Sequence, residues 1–176
     1  MADTIDYQYY KSPVGELIIG SYGGEICLCD WRYRKQREAV DKRIWSALDA
    51  VMVEKDSTTV QACIQQLQEY FVGERREFDL SLRLVGSDFQ KEVWGHLMQV
   101  PYGQTKSYLA LAQSLNNEGA IRAVASANGA NALSIVVPCH RIIGSDGSLT
   151  GYAGGLPAKK RLLELEGSLL HQISLF

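Results

Sequence analysis

The stretch SYLALAQSLNNEGAIRAVASANG, residues 107–129, decides the fold. Tyr108, Leu111, Ala112 and Leu115 recur at helical spacing, and Ile121, Val124 and Ala125 do so again. Asn116, Asn117, Glu118 and Gly119 make a short turn between them, and Asn128 with Gly129 stops the second helix. Two short helices across a glycine-containing turn form the helix-turn-helix pattern. Arg122 is the only charge among the small residues of the second helix. It reads either as one exposed helix residue or as a side chain directed into DNA, with small neighbours such as Ala123 allowing close approach.

Upstream, Ser87 and Gln90 form a capping box, and Phe89, Val93, Trp94, Leu97 and Met98 give the following helix an apolar stripe that ends at Pro101, Tyr102 and Gly103. Downstream, residues 134–138 read as a short buried strand or extended run. Residues 145–148 read as a hairpin or tight loop, and residues 151–155 as a small-residue loop. Pro157 opens a last helix with Leu162, Leu163 and Leu165 on its apolar side, and Gly167 closes it.

The first half is different in kind. Residues 5–10, 16–22 and 25–31 predict three strands joined by tight turns, an antiparallel meander. Residues 32–53 have only weak helical character. Val60, Ile64, Leu67 and Phe71 predict a helix over 56–71, and Phe78, Leu80, Leu82 and Leu84 predict a strand over 77–84. The expected class is α+β, with a small antiparallel-sheet α/β subdomain over 1–85 and a mainly helical subdomain over 86–176. No catalytic constellation stands out in the first.

Composition narrows the rest. The 176 residues are 46% hydrophobic and 22% charged, which is globular and not disordered. No apolar run approaches the roughly 20 residues that span a bilayer, and the acidic opening residues lack a signal core. Four cysteines do not make a disulfide scaffold, so a reducing, cytoplasmic setting is expected. The net charge of −2 argues against nucleic acid when taken alone. The average hides an asymmetry, however. Between Val93 and Leu163, Lys106, Arg122, Arg141, Lys159, Lys160 and Arg161 outnumber Glu118 and Asp146.

Cys139 follows Pro138 and precedes His140 and Arg141. A free thiol is usually an inert core residue, but these basic neighbours favour the thiolate. In an extended chain Cys139 and His140 would point to opposite sides, so their direct contact needs a sharp bend or a bridging water. A third group should orient the imidazole. Glu166, at a helix end where the dipole disfavours acids, is the available carboxylate. Cys27 and Cys29 are too closely spaced for an ordinary zinc site and read as structural, as does Cys63. His96 and His171 are isolated, and no metal is expected.

Several motifs now coincide. Pro138 to Arg141, preceded by Ala127 to Gly129 and Asn131, resembles the active-site signature of the O6-alkylguanine-DNA alkyltransferases. The resemblance runs from Phe89 through Gly167, and includes Val93, Trp94, residues 101–103, Ser107, Tyr108, Arg122 to Val124, Gly151, Tyr152, Gly154, Gly155 and residues 162–167. The first half matches only through its Ser12 to Gly15 hairpin and its length, and lacks the extra four-cysteine zinc module of fused regulatory relatives. The resemblance implies a ribonuclease-H-like first subdomain and a second that carries a winged-helix-like helix-turn-helix and the active site. It implies Cys139 as alkyl acceptor, His140 as its water-linked base, Glu166 as the holder of His140, and Asn131 as brace of the active-site turn. Tyr108 would press on the phosphate and offer its hydroxyl near the base, and Arg122 would fill the gap left by an extruded base. Ser107, Ala123 and Asn128 join Arg122 and Tyr108 in the DNA-contacting set. Tyr152, Gly154, Gly155, Val137 and Pro138 would wall the guanine pocket, with Lys159 holding its loop.

By the same resemblance the partner is double-stranded DNA containing O6-alkylguanine, with O4-alkylthymine as an open extension, and the protein is a cofactor-free monomer acting once per molecule. Two departures stand out: Ala132 replaces the proline that usually follows the asparagine, and the turn at 116–119 lacks Gly-x-Pro. Other readings of the same residues are a lesion sensor without transfer, a cysteine-dependent hydrolase, and a purely regulatory helix-turn-helix protein.

Overall fold

The computed structural model describes residues 3–169. The chain divides into two compact units, Met1–Gly86 and Ser87–Phe176.

The first unit is a four-stranded sheet with two helices. Strands β1 (Asp3–Ser12), β2 (Gly15–Tyr22) and β3 (Glu25–Trp31) form the expected meander. Gly23 and Gly24 both take positive φ at the β2–β3 turn, which suits the right-handed twist of a two-residue hairpin. The 32–53 region resolves into helix α1 (Arg37–Ala47) and strand β4 (Ala50–Glu54). β4 lies beside β1 and runs parallel to it, giving the order β3-β2-β1-β4. The class is α+β as expected, and the sheet is mixed instead of purely antiparallel. A parallel neighbour needs a long connection, and β4 is too short and too exposed to show a clear alternation.

Helix α2 (Thr58–Phe71) is capped by Ser57, whose hydroxyl accepts from the Val60 amide at 3.1 Å. It buries Val60, Cys63, Leu67 and Tyr70, so the core stripe is turned by one position from the one expected at Ile64 and Phe71. The strand expected over 77–84 does not form. The segment makes one parallel bridge, Leu82 to Ile26, with the Ile26 amide donating to Ser81 O at 2.8 Å and the Arg83 amide donating to Ile26 O at 2.9 Å. Its alternation reflects half-burial of an extended chain, which does not require a ladder.

The second unit is mainly helical. Both halves of the Ser87–Gln90 capping box are present at the start of α3 (Asp88–Leu97). Helix α4 (Tyr108–Ser114) and helix α5 (Ile121–Gly129) are joined through a 3-10 turn at Glu118–Ala120, with Asn116 in the left-handed region. Helices α3, α4 and α5 pack on one another, and the Trp94 indole donates to Ala127 O at 2.8 Å. Strands β5 (Lys106–Ser107) and β6 (Ile142–Ile143) pair in parallel, and α6 (Leu156–Leu165) closes the unit with Pro157 in its first turn. Because β6 pairs with β5, residues 145–148 form a tight loop and not a hairpin. Among the described residues, no helix is long and apolar enough to cross a membrane.

Candidate active site

Residues 134–138, expected as a short strand or extended run, fold into a tight turn. The Val137 amide donates to Leu133 O at 2.8 Å, and Ile135 sits at φ 71, rare for a β-branched residue. Their apolar character is that of a buried turn. Asn131 spans this turn: its side chain donates to Val137 O at 2.9 Å and accepts from the Leu133 amide at 2.9 Å. Cys139–Arg141 follow as a 3-10 turn and not as extended chain. Cys139 is nearly buried and opens onto a pocket of about 440 Å³.

Behind the cysteine lies a buried polar chain. His140 is fully buried, and its Nε2 lies 2.8 Å from Glu166 Oε2. Its Nδ1 has no hydrogen-bond partner among the described residues. Arg141 grips the same carboxylate, through Nε to Oε1 at 2.8 Å and Nη2 to Oε2 at 3.0 Å, while Nη1 donates to Val100 O at 2.7 Å. Burial alone would raise the Glu166 pKa, but the His140 and Arg141 bonds hold it well below the usual carboxylate range. Burial lowers the His140 pKa, with Glu166 pulling the other way. The centre therefore holds a neutral imidazole that donates from Nε2 to an ionised Glu166, which leaves the Nδ1 lone pair as the basic site. Arg141, expected to act on the thiol, spends its charge on Glu166.

The far wall is tied through one carbonyl. The Tyr108 hydroxyl donates to Thr150 O at 3.1 Å, and the Lys159 ammonium donates to the same oxygen at 3.0 Å. Burial raises the Tyr108 pKa, against the pull of its bonds to Thr150 and Asn128. The phenol thus stays protonated at neutral pH and remains a donor.

The pocket brings together Tyr108, Asn128, Cys139 and Tyr152 of the residues singled out from sequence. Val137 and Pro138 are buried next to Cys139, and Gly154, Gly155 and Lys159 lie outside the lining. Gly151 and Ala153 also line it, from the 151–155 loop expected as a wall, whereas sequence reasoning missed Ala125 and Thr150. The role of the Thr150 carbonyl is a backbone matter that no side chain announces. Arg122 and Ala123 are exposed at the start of α5, and Ser107 caps α4, accepting from the Ala110 amide at 3.0 Å. Cys27, Cys29 and Cys63 are buried in the first unit. His96 is bonded to Glu92 O of its own helix, and His171 lies outside the described residues. Among the described residues no group of three or more His, Cys, Asp or Glu is placed to hold a metal.

Comparison with known proteins finds relatives of both units. Residues 88–168 match the family described as 6-O-methylguanine DNA methyltransferase, DNA binding domain. Residues 5–84 match that enzyme's ribonuclease-like domain. The methylated-DNA–protein-cysteine methyltransferase of Mycobacterium tuberculosis is 42% identical over 164 residues, 93% of each chain. The constitutive protein of that name from Bacillus subtilis is 40% identical over 157 residues, covering 89% of this chain and 92% of its own. The solved O6-methylguanine methyltransferase of M. tuberculosis superposes with a TM-score of 0.78 at 38% identity over 93% of both chains, and that protein has also been solved in complex with DNA. With such identity over nearly its whole length, the chain belongs to the methylated-DNA–protein-cysteine methyltransferase family.

Proposed function

We propose that this protein repairs DNA by direct reversal, moving the alkyl group of O6-alkylguanine in duplex DNA onto Cys139 in one irreversible event. The observation that carries this reading is the position of Cys139 at a pocket, beside a neutral histidine whose Nε2 is committed to Glu166.

An alkyl carbon on O6 is hidden in the base stack, so the nucleotide must leave the duplex, at a cost of roughly a few kcal/mol. Arg122, exposed on α5, fills the gap, with Ala123, Ser107 and Asn128 among the DNA contacts. Tyr108 braces the adjacent phosphate. The guanine then enters the pocket between Tyr108 and Tyr152, against Thr150, Gly151 and Ala153 of the loop that Lys159 holds and that continues through Gly154 and Gly155, with Val137 and Pro138 leading into Cys139 behind it.

The thiol proton passes to His140 Nδ1, by way of water. The Cys139 sulfur attacks the alkyl carbon, the carbon–O6 bond breaks, and its electrons go to O6. Tyr108 turns its hydroxyl from Thr150 O to the leaving oxygen. Asn131 keeps the turn that aims the sulfur. A thioether has no carbonyl for water to attack, so the thiol is not regenerated. The chemistry needs no cofactor. The acting species is a monomer in the cytoplasm, at the nucleoid when engaged with DNA. Residues 86–176 supply the DNA-binding and active-site parts, and residues 1–85 the ribonuclease-like subdomain.

The decisive measurement is intact-protein mass spectrometry with peptide mapping after incubation with a duplex containing O6-methylguanine. The expected result is one methyl group per protein, on Cys139, and none in Cys139→Ser. Lesion binding with no mass gain would mean a sensor, and repeated turnover of an ester or amide would mean a hydrolase.

A further inference from the structure

Lys159 carries a charge that the mechanism above leaves unused. It is fully buried on α6. Its ammonium donates to Ile142 O at 2.6 Å, Thr150 O at 3.0 Å and Gly151 O at 3.3 Å, and it meets no carboxylate among the described residues. Tying down a loop does not require a charge, and a buried cation without a counter-ion is costly.

The surrounding groups narrow the choice of counter-ion. The one carboxylate near the centre, Glu166 at the end of α6, is already shared by Arg141 and His140. His140, on the 3-10 turn, is neutral, and Tyr108 on α4 stays protonated. Helix α5 presents the uncharged Asn128 to the pocket. Thr150 and Gly151, whose carbonyls are two of the three acceptors of the Lys159 ammonium, line the same pocket as Cys139, and Ile142 directly follows the turn that carries it. Helix α6 packs on that turn, and the ammonium lies 5.8 Å from the Tyr108 ring centroid. Among the described residues around the ammonium, the remaining group that can supply a negative charge is the Cys139 thiol.

We propose that Lys159 is the counter-ion of a standing Cys139 thiolate, a positioning residue that keeps the nucleophile ionised before DNA arrives. This rests on the reading of Cys139 as the alkyl acceptor. The proton leaves the sulfur for His140 Nδ1 and then solvent, the electron pair stays on sulfur, and Lys159 balances it. When the sulfur–carbon bond forms and the carbon–O6 bond breaks, the negative charge moves to the leaving guanine. The electrostatics of Lys159 are consistent: burial lowers its pKa to about 8, and the Cys139 charge pulls the other way.

The test measures the pH dependence of Cys139 alkylation by iodoacetamide, mapped by peptide mass spectrometry to separate it from the other three cysteines. Wild type should show a midpoint below the ordinary thiol value of about 8.5. In Lys159→Gln the midpoint should rise by a unit or more, making alkylation about tenfold slower at neutral pH and recovering it at high pH. Lys159→Arg keeps the charge and should keep a low midpoint even if the loop is disturbed. An unchanged midpoint in Lys159→Gln, whatever happens to its melting temperature, reduces Lys159 to a loop tie and overturns the proposal. If that variant does not fold, a wild-type midpoint at or above about 8.5 overturns it equally. Iodoacetamide needs no DNA. A shifted midpoint in a protein that takes no methyl group from DNA would therefore sink the repair reading and leave the Lys159 pairing standing.

Discussion

At Glu166 two demands meet, since one carboxylate orients His140 and neutralises Arg141. Glu166→Ala strands a buried guanidinium, which costs about 3–5 kcal/mol of stability and should be visible as a lower urea midpoint. The pH dependence follows from the same pair. Both Glu166 and His140 have depressed folded pKa values. Each contribution to stability is complete above the unfolded value and is lost as the pH falls toward the folded one. Stability should therefore drop in two stages, below about 6.5 and again below about 4.3. The lower stage should shrink in Glu166→Gln, and an unchanged acid profile there would contradict the assignment. Tyr108→Phe should fold normally and slow methyl transfer about 10- to 100-fold, the worth of one hydrogen bond to a developing charge. An undiminished single-turnover rate would remove Tyr108 from the chemistry.

The 131–141 turn shows at the scale of an element what sequence reveals and what it hides. Cys139, His140 and Glu166 were legible because each is a chemical group with a spacing or position that needs explaining. The turn's shape was not. Its apolar residues carry the signature of burial, which a strand and a compact turn share, and the device that separates the two is a single side chain bridging Leu133 and Val137. Asn131→Ala should leave both backbone groups without that bridge, cost about 2–4 kcal/mol and depress transfer along with stability. The α3 capping box was legible in full because both partners lie within four residues. Ser87→Ala should cost about 1 kcal/mol with little effect on transfer once folded. The segment over 77–84 and strand β4 failed in opposite directions. One alternates without pairing, and the other pairs without alternating, because a ladder depends on a neighbour that local sequence does not contain.

The distribution of charge over the molecule is thinner than the composition suggested. Of the six basic residues between Val93 and Leu163, Arg141 and Lys159 are buried, Arg141 against Glu166 and Lys159 against backbone carbonyls. Lys106, Arg122, Lys160 and Arg161 are the other four, and Lys160 lies 3.9 Å from Glu164. With Lys91 on α3 counted as well, the slope of log affinity against log salt should be no steeper than about −4.5 for this unit, at about −0.9 per phosphate. Filter binding or fluorescence anisotropy on unmodified duplex measures it, and a steeper slope would place phosphate contacts in the first unit. The α+β class and the helix pair at 108–129 were readable at this scale, since both follow from long periodic segments.

The double duty of Glu166 also bears on how such a chain can drift over generations. The Arg141–Glu166–His140 chain is closed by bonds among its own members, so a lineage released from chemistry can replace Cys139 and keep that chain. Glu166 and Arg141 have no such freedom, because losing either leaves the other's charge buried. Inactive descendants of this architecture should therefore lose the cysteine first and keep the glutamate and arginine together, a pairing that a comparison of descendant sequences can check.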